Sequence, residues 1–215
     1  KGGNTNIVFN VSQGFGRVAK FLEMMDSQQF VEMRTEGYRN QGVNTVPKNS
    51  RTYDITRWDT SRSTNWQEEF LGGTAGQSNA QLSISGGNAQ TQFGLAGGYF
   101  RQSTVFPGDA ALNRGTGRLN VSHQSLDGKF KATAAVNYTS SMNRPGNDFT
   151  FVSIILAPTA PSLYDATGSL NWDEGTFNNP LSQLEMKYEN KTYNMQSSAM
   201  LRYVLAKGLV LKASG

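Results

Sequence analysis

The sequence predicts an all-β chain whose antiparallel strands follow one another as an up-and-down meander, with one short helix in a long loop. Three observations carry this. Apolar residues recur at every second position in seven separate stretches, the pattern of strands with one apolar face. Only one stretch has helical spacing, and no helix separates the later strands, so βαβ units and a parallel sheet are not expected. Charged residues make up 17% of the 215 residues and Gly contributes 23, against roughly 25% charged residues in an ordinary soluble domain. The polar positions of the alternating stretches are filled mostly by Asn, Ser, Thr and Gln.

The first strand, 6–12, sets Ile7, Phe9 and Val11 against Asn6, Asn10 and Ser12. A long connection, 17–78, holds the helix: Asp26-Ser27 offers an N-cap, Phe30, Val31 and Met33 follow among Glu32, Arg34 and Glu36, and Gly37 is the expected stop. The second strand, 80–85, opposes Ala80, Leu82 and Ile84 to Gln81, Ser83 and Ser85, and Gly86-Gly87-Asn88 turns the chain. The third, 91–99, carries Phe93, Leu95 and Tyr99 on one parity. A medium loop, 101–116, contains Pro107-Gly108-Asp109. The fourth strand, 118–123, sets Leu119 and Val121 against Arg118, Asn120 and Ser122, and Leu126-Asp127-Gly128 makes the next turn. The fifth, 130–139, runs Phe130, Ala132, Ala134, Val136 and Tyr138 opposite Lys131, Thr133, Asn137 and Thr139. After a long loop, 142–192, the sixth strand, 193–205, opposes Tyr193, Met195, Ala199, Leu201, Tyr203 and Leu205 to Asn194, Gln196, Ser198 and Arg202. Ala206-Lys207-Gly208 leads into the seventh, with Leu209, Leu211 and Ala213 on its apolar side.

Connections alternate long and short throughout. In an antiparallel meander every second connection lies at the same edge, so one edge carries tight turns and the other carries long loops. That segregation characterises outer-membrane β-barrels. A soluble β-sandwich also alternates, and the pattern alone leaves it as the competing architecture, a soluble binding or adhesin module. A sandwich has no reason to sort loop lengths by edge, and its solvent face would be rich in Lys and Glu.

Several function classes have no support. The formal charge is +4 and the pI about 9.3, but Lys and Arg are scattered singly, so no nucleic-acid partner is expected. The absence of Cys removes disulfide frameworks, thiolate metal sites and Cys nucleophiles. No apolar run reaches the roughly 18 residues of a transmembrane helix. Lys1-Gly2-Gly3-Asn4 does not resemble a signal peptide, so the expectation is that export is directed by residues outside this sequence. His123, the single His, falls on apolar parity without a nucleophile partner, and one His cannot make a zinc site. Gly14-Phe15-Gly16 lacks the third Gly and the βαβ setting of a dinucleotide loop. Three of the four Asn-x-Ser/Thr sequons, at Asn10, Asn120 and Asn137, fall in strands, and the fourth is at Asn190. Asp148, Asp165, Asp173 and Glu174 share a loop but not a calcium-loop spacing, and read as solvated carboxylates. No enzyme activity, cofactor or metal is expected.

Aromatic residues divide in two groups. Tyr99, Phe100, Tyr138, Tyr193 and Tyr203 sit near strand ends, where barrels carry interfacial girdles. Trp58, Trp66, Tyr164 and Trp172 lie in the long loops. Their rings can stack on sugars, so these four are the candidate substrate contacts, with loop packing as the alternative use.

The run Asn65-Trp66-Gln67-Glu68-Glu69-Phe70, then Leu82-Ser83-Ile84-Ser85-Gly86-Gly87-Asn88, then Gly98-Tyr99-Phe100, resembles the SusC/RagA-like family of TonB-dependent outer-membrane transporters. Arg118-Leu119-Asn120-Val121, Asn179-Pro180-Leu181 and Lys207-Gly208-Leu209 are also similar to that family, and Lys1-Gly2-Gly3 resembles its plug-to-barrel junction. The resemblance covers nearly the whole chain. It implies a plugged barrel of the 22-strand class in the outer membrane of Bacteroidetes-type Gram-negative bacteria, importing glycans or peptides. It also implies a SusD-like surface lipoprotein as partner, outer-membrane lipid around the wall, and coupling to the TonB complex through parts not in this chain. On this reading residues 1–215 are the N-terminal portion of the barrel, with plug and remaining strands absent and no activity expected from the piece alone.

Overall fold

The computed structural model describes residues 3–215. Of the junction reading of Lys1-Gly2-Gly3, the first two residues lie outside them. Seven strands follow in order: β1 Gly3–Gly16, β2 Ala75–Gly87, β3 Thr91–Ser103, β4 Ala111–Gln124, β5 Phe130–Arg144, β6 Asn190–Ala206 and β7 Leu209–Ser214. They form one sheet in the order β1-β2-β3-β4-β5-β6-β7, each antiparallel to its neighbours. This is the meander the alternation predicts. Most strands run well past their alternating cores, so the connection between β3 and β4 shrinks to residues 104–110.

Directly paired residues of an antiparallel ladder share a face, and the register therefore sorts the sheet into two surfaces. One row is Ile7, Ile84, Leu95, Leu119 and Val136. The next is Phe9, Leu82, Gly97, Gly117, Tyr138 and Met195. On the other side stand Asn10, Gln81, Gly98, Thr116, Thr139 and Asn194, then Val8, Ser83, Ala96, Arg118, Asn137 and Gln196. The polar side carries hollows of about 350 and 370 Å³. The apolar side is open: Phe9 is 67% exposed and Leu95 49%.

Tight turns close one end. Asn88 accepts at Oδ1 from the N–H groups of Gln90 and Thr91, at 2.9 and 2.7 Å, so the Gly-Gly-Asn sequence is a turn with its own cap. Gly208, at φ +88°, lets β6 pass into β7 through two residues, a conformation that side chains with a Cβ resist.

The buried core lies at the other end, in the loops. The expected helix is present as α1, Ser27–Asn40, and Asp26 and Gln29 form a capping box in which the Asp26 carboxylate accepts from Gln29 N–H at 2.8 Å. It does not stop at Gly37. One Gly costs a helix interior only about 1 kcal/mol, and the chain turns instead at Gly42, φ +78°. The single-helix expectation also undercounts. Short helices α2 Tyr53–Thr56, α3 Trp66–Leu71 and α4 Thr150–Ile155, with 3-10 segments at Asp173–Gly175 and Pro180–Glu185, occupy the same loops. None is long or apolar enough for its periodicity to register, and none could cross a membrane as a helix.

Trp66, Phe70, Phe149, Ala160, Phe177 and Leu181 make this loop core. Phe70 of α3 stacks on Phe149 with centroids 5.1 Å apart and planes within 4°. Phe106, from the short loop, approaches Phe149 at 6.3 Å. All three loops of this end are thereby tied together. A Cβ on Gly73 would collide with the Val105 carbonyl, so the loop before β2 passes against the loop after β3 only because residue 73 is Gly.

Phe70→Ala or Phe149→Ala should remove about 3–5 kcal/mol of packing from the loops and leave the sheet ladder intact. Limited proteolysis should then show faster cleavage within 17–74 and 145–189 while the sheet strands stay protected. An unchanged cleavage rate would contradict the assignment of the core to these loops.

Candidate functional site

Two surfaces can meet a ligand: the crown of loops and the hollow polar face of the sheet. The four aromatic candidates all fall in the crown, but they do different things there. Trp66 is 3% exposed. Its ring stacks on Phe70 at 5.8 Å, and its indole N–H donates to the Ala157 carbonyl at 2.8 Å. It is a core residue with no open face for a sugar, a correction to its place among the substrate contacts. The Asn65-Trp66-Gln67 sequence makes a helix start and a core, because Asn65 caps α3 and the buried Gln67 amide both accepts from Leu22 N–H and donates to Leu22 C=O, at 2.9 Å each. Trp58 is half-buried, edge-on to Phe177 at 6.0 Å, and donates to Thr176 Oγ1 at 3.2 Å.

Tyr164 and Trp172 differ. They are 54% and 46% exposed and lie on a small hairpin. Tyr164 pairs with Leu170 across it, and Asn171 N–H donates to Leu163 C=O at 3.0 Å. The hairpin tip is organised by Asp165, whose carboxylate accepts from Thr167 N–H, Thr167 Oγ1 and Ser169 N–H at 2.8, 2.6 and 3.0 Å. Its base is fixed by Asn179, fully buried, which donates to the carbonyls of Leu163 and Asn171 at 2.6 and 3.0 Å and accepts from Leu181 N–H at 3.0 Å. The Asn-Pro-Leu sequence therefore holds the exposed aromatic hairpin from beneath.

The loop carboxylates are each locally engaged. Asp148 accepts from Thr150 N–H at 2.8 Å, and Asp173 and Glu174 face Arg57 at 3.7 and 2.7 Å. Among the described residues no three acidic or His side chains are grouped to hold a metal ion. A second cluster, missed by the sequence reading, gathers Arg144, Glu189, Lys191 and Asp109 beside a cleft of about 370 Å³ that includes Tyr188 and Leu184. The ammonium of Lys191 and the guanidinium of Arg144, both 2.7 Å away, hold the Glu189 carboxyl below its ordinary range.

On the sheet, Tyr99 and Tyr193 share one apolar-face row, and Phe130, Tyr203 and Leu211 another near the turn end. Phe100 does not join them. It pairs with Asn79 and Arg114 on the polar face, with the Arg114 guanidinium 6.0 Å from its ring centre. One residue of offset from Tyr99 reverses the face. His123 lies on the apolar face at the turn end, its Nδ1 2.8 Å from Thr91 Oγ1.

No family model matches the chain, and no curated protein matches it. Nine solved chains do match. Among them is the RagAB peptide transporter, at TM-score 0.70 and 19% identity, covering 98% of this chain and 27% of that one. The RagAB peptide importer in its closed-closed and open-open states matches at TM-scores 0.72 and 0.73, with 17% and 18% identity, over 100% and 99% of this chain and 28% and 27% of those. The meander thus shares its fold with part of these transporter chains, and this chain spans little more than a quarter of their length.

The Thr167 hydroxyl and backbone N–H groups hold the Asp165 carboxyl below its ordinary value of 3.8. A depressed carboxylate stabilises the turn at pH above that ordinary value, and the contribution is lost as pH falls through the lowered one. Hydrogen exchange at Ser169 N–H, corrected for intrinsic rate, should therefore show equal protection from about pH 8 to about pH 5. Asp165→Ala should abolish that protection throughout. Equal protection in the variant would show that the carboxylate does not organise the hairpin.

Proposed function

We propose that this chain is part of the wall of an outer-membrane, TonB-dependent nutrient importer, and that it has no transport activity by itself. The observation that supports this best is the inverted distribution of apolar surface. The sheet leaves its Ile, Leu, Val and Phe row open, while the buried core sits among the loops. In water that arrangement exposes a broad apolar face, which soluble monomers rarely do. In a bilayer it is the lipid-facing side. A sandwich needs a second sheet over the apolar face, and none covers it among the described residues.

Dimensions agree. From Tyr193 to Tyr203 a strand rising about 3.4 Å per residue covers about 34 Å, and a tilt of about 40° makes that about 26 Å of height, close to the ~25 Å apolar band of an outer-membrane barrel. On this reading residues 1–215 are the N-terminal portion of a larger barrel, of Bacteroidetes type, with TonB coupling through other parts of the protein. The loop crown faces outward and meets a SusD-like surface lipoprotein and the incoming cargo. Tyr164 and Trp172 are its open aromatic contacts, and Trp58 a half-buried one. Cargo is a peptide or a glycan. The peptide importers that share the fold favour the first, and exposed aromatic rings serve either.

Epitope tags inserted in the full-length protein at the exposed positions Asn44 and Lys187 should be stained on intact cells, and one at Ala89 only after the outer membrane is opened. Staining at Ala89 alone would invert the topology, and staining at none, with the protein soluble, would defeat the membrane assignment.

A further inference from the structure

None of the sixteen Asp and Glu residues lies in a strand. The strands nevertheless carry Arg101, Arg114, Arg118, Lys131, Arg144, Lys191, Arg202 and Lys212. Register divides these cations. Arg101, Arg144 and Lys191 stand on the apolar-face parity at the loop end, where Glu189 engages both Arg144 and Lys191. The other five stand on the polar face, and none of those five makes an ion pair among the described residues.

Their placement is specific. Lys131 pairs directly with Arg202, and Arg202 with Lys212, so three cations stand side by side on β5, β6 and β7 near the turn end. Like charges directly opposite each other are destabilising. The nearest carboxylate in sequence, Asp127, is engaged by the Ser125 hydroxyl at 2.6 Å and by Lys129 at 4.0 Å. Further up the same face, Arg118 lines the hollow of about 350 Å³ with Asn10, Gln81, Thr116, Asn137 and Thr139. Gly98 lets the wall lie close there, since a Cβ would come 2.8 Å from Thr116 Oγ1. Arg114 follows toward the crown, over the Phe100 ring.

We propose that the polar face is a selectivity surface for anionic cargo, and that its preferred ligand is a carboxylate-bearing peptide. The inference rests on the importer reading and deepens it. A confined wall of one charge sign concentrates the opposite sign, and Lys/Arg linings select anions in pores. Side-chain carboxylates of an acidic peptide would relieve the repulsion in the Lys131–Arg202–Lys212 row and find Arg118 and Arg114 at further points along the same wall. Asn, Gln and Thr neighbours add neutral hydrogen-bond partners without competing charge.

The test uses the full-length importer in cells and three radiolabelled pentapeptides of equal size, with central triplets of Glu, Gln or Lys. Uptake should favour the Glu peptide over the Lys peptide by roughly tenfold or more at low salt, and the preference should shrink as ionic strength rises. The triple variant Lys131→Gln, Arg202→Gln, Lys212→Gln should lose roughly tenfold of that preference while Gln-peptide uptake persists. Arg202→Lys should retain it, and Arg118→Gln, which leaves the row untouched, should reduce it in part. Equal uptake of all three peptides by the unsubstituted protein, or a preference unchanged in both the triple and the Arg118 variants, would overturn the anion selectivity and leave the importer reading standing. Failure to take up any of the three would overturn peptide import and this inference with it.

Discussion

Side chains of a β-strand alternate between two faces, and a sheet can satisfy two different surroundings only if each face is uniform. Here the two faces are uniform across most of the sheet. Ile84, Leu95, Leu119 and Val136 form one continuous row, while Gln81, Thr116, Thr139 and Asn194 line the other side. Nothing in the chain covers the apolar side among the described residues, so its burial must come from outside the sheet. The remaining features follow from that requirement. In the proposed barrel the strands are long because they span an apolar layer; turns at one end are tight, and the residues that would form the core of a soluble protein are concentrated in the loops at the other end. In the proposed barrel, further strands pair the open edges of β1 and β7, because hydrocarbon cannot satisfy unpaired backbone groups.

The loop crown is a small folded body in its own right. Aromatic stacking through Trp66, Phe70 and Phe149 joins connections that are distant in sequence. The Arg34 guanidinium binds the Asp54 carboxylate at 2.8 and 3.3 Å and the Arg51 carbonyl at 2.9 Å, joining α1 to the segment around α2. Such anchoring lets exposed side chains such as Tyr164 and Trp172 hold position above the end of the sheet, which loops of this length would not do unsupported.

The sheet was legible in sequence because alternation has an unambiguous period, and all seven strands fall where that period appears. Strand ends were not. Residues 111–117, Ala-Leu-Asn-Arg-Gly-Thr-Gly, continue β4 without alternating, since both faces there carry polar or small residues. The short helices were illegible for a related reason: one or two turns cannot establish a 3.6-residue period, and their formation depends on caps such as Asn65 and on packing between loops. Of the candidate contacts, Trp66 shows the limit most clearly. A Trp in a long loop has the same sequence appearance whether it faces solvent or fills a core, and its burial is decided by contacts such as the hydrogen bond to the Ala157 carbonyl, remote in sequence. The cation row of Lys131, Arg202 and Lys212 was present in the sequence as three scattered residues and became a row only through register.

The central claim is that the apolar face meets lipid and the polar face a wet interior. Leu119 and Asn120 are neighbours on β4 at nearly the same height and on opposite faces, and the sequence contains no Cys. In the full-length protein in membranes, a label on Leu119→Cys should be quenched by a lipid-dissolved spin probe and shielded from a charged aqueous reagent, and Asn120→Cys should show the reverse bias. Protection of Leu119→Cys from the lipid probe, with ready aqueous labelling of Asn120→Cys in a soluble protein, would contradict the account.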